Sequence, residues 1–230
     1  MLHDAMHITR KIDAFVVPSS FTLVEYGISR QKLHHIPTFF NLKEGNPQVE
    51  YKPFVLFVGR IEKQKGLMSL VKAFQNTDYN LKIIGFSNDG YEDELKAYLN
   101  GKRHHIEFLG KMNFEQIVPY LKSCLCTVVP SEWYDNFPNV ILESFAYKKA
   151  VVATNFGSLP ELVRNGETGL TFNYQDVEDF RSKIAYFFAH PTEAKAMGEN
   201  AFQNVQTCFS PAEHYNRLMK LFNDITGKQK

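Results

Sequence analysis

Short apolar runs alternate along this chain with stretches in which apolar residues recur every third or fourth position. The runs are "FVLFVG" (Phe54 to Gly59), "LKIIG" (Leu81 to Gly85), "IEFLG" (Ile106 to Gly110), "CTVVP" (Cys126 to Pro130), "AVVAT" (Ala150 to Thr154) and "GLTF" (Gly169 to Phe172). Each is rich in β-formers and ends in, or is followed by, a residue that breaks the pattern, so each predicts a buried strand. Between them, "GLMSLVKAF", "YEDELKAYL", "NFEQIVPYL" and "FPNVILESFA" have the spacing of amphipathic helices. Regular strand–helix alternation predicts an α/β fold with a doubly wound parallel sheet, whose ligands bind beyond the carboxyl ends of the strands. The residues that follow each strand therefore carry the chemistry.

The two ends depart from this rhythm. "DAFVVPS" (Asp13 to Ser19) reads as a further strand leading into a helix, and "IPTFFNLKEGNPQVEYKP", with its prolines and Gly45, reads as a linker. After the last strand, "VEDFRSKIAYFFAH" and "EAKAMGENAFQNVQTCF" are helical. "SPAE" opens one more helix, with Ser210 as cap, Pro211 at the first position and Glu213 closing a capping box.

Composition narrows the function. A length of 230 residues gives room for one large domain or a domain with part of another. A formal charge of +1 provides no general attraction to nucleic acid or an anionic membrane, so any anion site must be local. Aromatic residues are not interleaved with a basic stripe, which also argues against nucleic acid. There is no G-x-G-x-x-G and no Walker loop. Three cysteines without paired zinc spacing, Cys124 and Cys126 falling at a buried strand, point to a reducing compartment and inert thiols. No stretch approaches the roughly 20 apolar residues of a membrane span, and nothing near Met1 resembles a leader, so a soluble, cytoplasmic protein is expected.

Two pairs of residues are candidates for binding. In "PSEWYDNFPNVILESFA", Asp135 falls in the loop before a helix and Glu143 inside it. The first amides of that helix face the strand-end crevice, where a phosphate would sit well, with Pro138 in the first turn. The competing reading makes Asp135 or Asn136 a helix cap and Glu143 a solvated acid. In "GRIEKQKG", Arg60 and Lys65 suit a diphosphate, one as a planar fork of donors and the other as a mobile charge. The competing reading there is a solvated charge run. "GSLPELVRNGETGL" adds Gly157 and Ser158 in a third strand-end loop, with Glu161 at the start of a short helix. Trp133 is expected to pack at the crevice rim. His3 and His7 have metal-ligand spacing, but Asp4 stands where a zinc protease has Glu and no third ligand follows. The pairs His34–His35 and His104–His105 read as loop residues.

In this order and spacing, "VGRIEKQKG", "FLG", "PSEWYDNFPNVILESFA" and "GSLPELVRNGETGL" resemble the nucleotide-sugar-binding half of the retaining glycosyltransferases of group 1, family 4, which have the two-domain GT-B fold. The resemblance covers about residues 53–207, and "DAFVVPSSFTLVEYGISRQKLHHIPTFFN" looks like the tail of the family's acceptor-binding domain. It implies a remnant of that domain plus linker over 1–45, a Rossmann-like nucleotide-sugar domain over 46–210 and a C-terminal helix over 211–230. By the same resemblance, Asp135 and Glu143 form the acid pair of the E-x7-E motif, the first near the transferred sugar and the second on the ribose. Arg60 and Lys65, with Gly59 beside them, would bind the diphosphate. Amides around Phe137, Pro138, Asn139 and Val140 would wrap the phosphates, and the edge Leu109, Gly110, Lys111 would read the base.

The implied donor is a nucleoside diphosphate sugar, UDP first with GDP and ADP open, bound without a metal or other cofactor. The implied acceptor is a glycan or lipid-linked glycan of polysaccharide biosynthesis, which could bring the protein to the inner face of the membrane. A partner chain could supply the N-terminal domain, and without one this chain alone is expected to be inactive. The alternative is a non-catalytic nucleotide-sugar-binding module. Three positions depart from the family pattern: Asp135 stands for Glu, Pro138 for Gly, and Ser158 for the second Gly of G-G-x-P-E.

Overall fold

The structure is a computed structural model that describes residues 12–21, 32–43 and 45–227. Its centre is a six-stranded sheet of β3 (Phe54–Val58), β4 (Asn80–Ile84), β5 (His105–Gly110), β6 (Cys126–Val129), β7 (Val151–Thr154) and β8 (Gly169–Phe172), each matching one of the apolar runs. All pairings are parallel, in the order β5-β4-β3-β6-β7-β8. Every residue of β6 and β7 is buried, as expected for parallel strands covered on both faces.

Alternation along the strands assigns the two faces. Val55 and Phe57 join a cluster with α1 (Leu67–Phe74), α2 (Tyr91–Leu99) and α6 (Val177–Ala189). Phe54 and Leu56 face the other way, against Ile117 and Leu121 of α3 (Phe114–Ser123). On that second face Val151 and Ala153 meet α4 (Asn139–Ala146) and the short α5 (Leu159–Leu162). Helix α7 (Pro191–Cys208) contributes Ala194 and Met197 to the first cluster and Ala201 and Val205 to the second, closing the end of the layers. The doubly wound α/β sheet expected from the pattern is therefore present.

A separate two-stranded parallel sheet, β1 (Phe15–Val17) with β2 (Leu33–His35), belongs to the N-terminal segment. No helix or strand is assigned between Ile36 and Pro53 among the described residues. That stretch is stapled to the body by Phe40 N–H to Phe209 O (2.9 Å), Glu50 N–H to Lys122 O (2.8 Å) and Lys52 N–H to Ser123 O (2.8 Å). The fully buried Lys149 also donates to Glu50 O, with its ammonium over the Tyr51 ring.

Several local expectations need correction. Pro138 is the N-cap of α4, just before the first turn in which the sequence places it, because its ψ of 115° is still extended. In α8 (Pro211–Thr226), Ser210 caps by accepting from Glu213 N–H (3.2 Å), but the Glu213 carboxylate goes to Arg217 Nε (2.6 Å) instead of closing the box. His34 and His35 lie in β2 and His105 in β5, so these are strand residues. Cys124 and Cys126 are buried, and burial pushes the Cys124 thiol up to about 12, which fits inert thiols; Cys208 is exposed. His3, Asp4 and His7 lie outside the described residues. Among those residues no helix is long and apolar enough to cross a membrane.

Candidate active site

Strand order reverses between β3 and β6, because the chain winds outward from β3 through β4 to β5 and from β6 in the opposite direction through β7 to β8. Loops leaving the two strands part there and open a crevice. A pocket of about 160 Å³ occupies it, lined by Phe57, Val58 and Gly59 at the end of β3, Val128 to Ser131 at the end of β6, and Lys65, Asp135, Pro138 and Val140.

Local backbone geometry delivers Lys65 to this pocket. After β3 the chain makes a 3-10 turn, Lys63–Lys65, ended by Gly66 at φ 71°. A Cβ at Gly66 would lie 1.8 Å from Pro130 O, so only glycine allows both the left-handed turn and the contact with the β6 loop. Glu132 N–H donates to Gln64 O (2.9 Å), and Ser69 Oγ donates to Glu132 Oε1 (2.5 Å), lacing the two loops together. Lys65 Nζ then reaches Asp135 Oδ1 at 2.6 Å, with side-chain exposures of 23% and 15%. Among the described residues Asp135 Oδ2 is buried and has no hydrogen-bond partner. Such an acceptor is costly to bury, and groups of this kind concentrate at functional sites.

Pro138 and Val140, at the start of helix α4, line the same pocket. Its N-cap Pro138 makes no side-chain cap bond, and Ile141 N–H returns to Pro138 O at 3.1 Å. A helix start of this kind presents donors and a positive dipole end. Asp135 is not the cap, since Oδ1 is committed to Lys65. Glu143 lies one turn beyond Asn139, half-buried, and burial raises its carboxyl above the usual 4.5. Unlike Asp135, it is not among the residues that line the pocket.

Arg60, Phe137 and residues 109–111 lie outside the pocket lining. Arg60 forms an ion pair with Glu62 at 2.6 Å and is 57% exposed. Gly110 accepts from Gly85 N–H (3.0 Å), Leu109 packs into the core under the β5 edge, and Lys111 sits over the Phe86 ring at 4.7 Å. The Phe137 ring turns into the core, edge-on to Phe209 at 5.7 Å, leaving only its backbone for the crevice.

The loop after β7 contributes contacts that the sequence did not disclose. Ser158, fully buried, donates its hydroxyl to Asp135 O, so the residue in place of the family's glycine ties two strand-end loops together. Tyr134 stacks between Phe21 (5.2 Å) and Phe156 (4.7 Å), and Phe156 stacks on Tyr174 (4.6 Å). Trp133 is 58% exposed and so does not pack at the rim; its neighbour Tyr134, 50% exposed, makes the ring contacts instead. These partners are far apart in the chain, and no local pattern announces them.

The sequence profile described as glycosyl transferases group 1 matches residues 39–204. An uncharacterized glycosyltransferase of Methanocaldococcus jannaschii, MJ1178, is 34% identical over 149 residues, 64% of this chain and 41% of that protein. The D-rhamnosyltransferase WbpZ of Pseudomonas aeruginosa is 31% identical over 68% of this chain and 42% of its own length. The chain thus spans about half the length of the curated relatives it matches. In solved structures, Anabaena Alr3699/HepE in complex with UDP and glucose superposes with a TM-score of 0.82 at 18% identity, covering 97% of this chain and 66% of that one. Sucrose-phosphate synthase from Thermosynechococcus elongatus gives 0.80 at 24% identity, over 96% and 61%. Both neighbours share the GT-B architecture. With the profile spanning most of its length and the strand-end crevice in place, the chain belongs to the group 1 glycosyltransferases.

Proposed function

We propose that the crevice binds a nucleoside diphosphate sugar, UDP-linked by preference, and that its sugar passes to a glycan or lipid-linked acceptor with retention of anomeric configuration. The meeting of Lys65, Asp135 and the α4 N-terminus in one pocket at the switch point carries this reading. The diphosphate lies across the first amides of α4, and Lys65 and Arg60 spread over its oxygens. As the bond from the sugar's anomeric carbon to the phosphate oxygen breaks, negative charge grows on the diphosphate, and these groups stabilise it. Asp135 receives a sugar hydroxyl on Oδ2, and Glu143 receives the ribose hydroxyls. The solved Anabaena complex with UDP and glucose supports a UDP donor.

Cationic side chains and helix amides supply positive charge to the phosphates, so binding proceeds without a divalent ion. Acceptor-binding residues are assigned to the region before residue 46, completed on the same polypeptide or by a partner chain. Calorimetry with UDP and with uridine, each with and without EDTA, tests the reading. UDP is expected to bind more tightly than uridine, unaffected by the chelator. Loss of binding in EDTA overturns the metal-free part, and equal affinity for both ligands overturns the diphosphate site.

A further inference from the structure

Glu161 of α5 has no part in the donor scheme, yet its polar contacts span more than half of the chain. Its two carboxylate oxygens accept from the backbone amides of Ser20 (2.9 Å) and Phe21 (2.7 Å), 141 and 140 residues away in the chain. Phe21 stacks on Tyr134 with ring centroids 5.2 Å apart and an interplanar angle of 21°. Tyr134 directly precedes Asp135.

We propose that Glu161 is a positioning residue for the donor site: by gripping the Ser20 and Phe21 amides it holds the Phe21 ring on Tyr134, and so sets Asp135 and its partner Lys65. Hydrogen bonds from amides to an ionised acceptor are about twice as strong as neutral ones. The loop they brace is irregular, and it is otherwise tied to its neighbours by the contacts of Glu132, Asp135 and Tyr134 described above. Residues 130–138 contain no helix or strand, and inside the loop Asp135 N–H donates to Trp133 O (2.8 Å) and Trp133 N–H to Ser131 Oγ (3.4 Å). A segment without helix or strand is held by such side-chain and cross-loop contacts, so each clamp shifts its opening equilibrium directly. The N-terminal segment and the donor loop are then one mechanical unit, so a ligand that favours one position of the segment is felt at Asp135, and the reverse holds by linkage. The functional half of this inference rests on the donor reading; the brace itself does not.

The test uses the full chain, wild type against Glu161→Gln and Phe21→Leu. Gln keeps the shape but presents an NH₂ donor to one of the two amides. Hydrogen–deuterium exchange of a ligand-free peptide covering residues 132–137 is measured first, then calorimetry with UDP and UDP-glucose. Both variants are expected to exchange about tenfold faster in that peptide, while peptides from β3 and β7 stay unchanged. UDP-glucose affinity is expected to fall by about three- to tenfold relative to that of UDP. Exchange at the wild-type rate in both variants overturns the brace. Faster exchange with both ligands weakened equally, or neither weakened, overturns the positioning role. A wild-type chain that binds neither ligand overturns the donor reading and the functional half with it, while the exchange rates still decide the brace.

Discussion

Lys65 Nζ lies 2.6 Å from Asp135 Oδ1, so a cation and an acid that the donor scheme assigns to different parts of a nucleotide sugar are paired with each other. A diphosphate must compete with Asp135 for this ammonium, and Asp135 in turn keeps a second, unpartnered oxygen for a hydroxyl. The pair therefore makes the phosphate and sugar contacts interdependent.

Lys65→Ala is expected to weaken UDP by roughly 1.5–3 kcal/mol, the range for hydrogen bonds to charged groups, and to leave uridine unchanged. Arg60→Ala should cost less than Lys65→Ala, because Arg60 is more exposed and lies outside the pocket lining. Calorimetry on both variants checks the order; a larger loss from Arg60→Ala places the diphosphate at the rim instead of in the pocket.

Asp135→Ala releases Lys65 from its partner while removing the sugar acceptor. UDP should bind at least as tightly as in the wild type, and UDP-glucose should lose any advantage over UDP. If UDP weakens as much as UDP-glucose does, Asp135 serves mainly to hold its loop.

Glu143 has its carboxyl raised by burial, so the folded state favours the protonated form. Its contribution to stability is present below the unfolded value and is lost as pH rises through the folded one. Glu143→Gln should therefore melt above the wild type at neutral pH, with the gap closing as pH falls through the carboxylate range. The same variant should bind UDP less well, since a charge-assisted bond to ribose becomes a neutral one. Melting curves between acid and neutral pH, together with UDP titrations, separate the two effects.

Lys149 is fully buried, and burial lowers its ammonium from 10.5 to about 8. The fold disfavours the charged form, so the penalty is full below about 8 and relieved as pH rises toward 10.5. That interval corresponds to about 3 kcal/mol, offset in part by the hydrogen bond to Glu50 O. Lys149→Met is expected to be more stable than the wild type at pH 7, and chemical denaturation should show the two converging between pH 8 and 10.

Gly66→Ala should destabilise by at least about 2 kcal/mol, because the positive φ and the clash with Pro130 O act together. Lys65 would be displaced with the turn, so UDP affinity should fall even where the variant remains folded. A variant that matches the wild type in denaturation midpoint would show that the turn can move away from β6 freely.

Most of the architecture was legible in the order of residues. Unbroken apolar runs such as "FVLFVG" and "CTVVP" mark strands buried on both faces, and three- and four-residue periodicity marks the helices that cover them, because both signals are local consequences of backbone geometry. Pattern alone also placed Arg60, Lys65, Asp135 and Glu143 after strand ends, where a parallel sheet opens. It could not show that Lys65 turns to Asp135 while Arg60 turns to Glu62, since both choices satisfy charge equally well in a string of residues. Nor could it show Ser158 on the Asp135 carbonyl or Glu161 on the amides of Ser20 and Phe21. Those bonds join positions 23 to 141 residues apart, and they exist only because the sheet brings its strand-end loops to one edge. Local propensity writes the elements; the partner of a polar side chain is settled by which loops the packed layers set side by side.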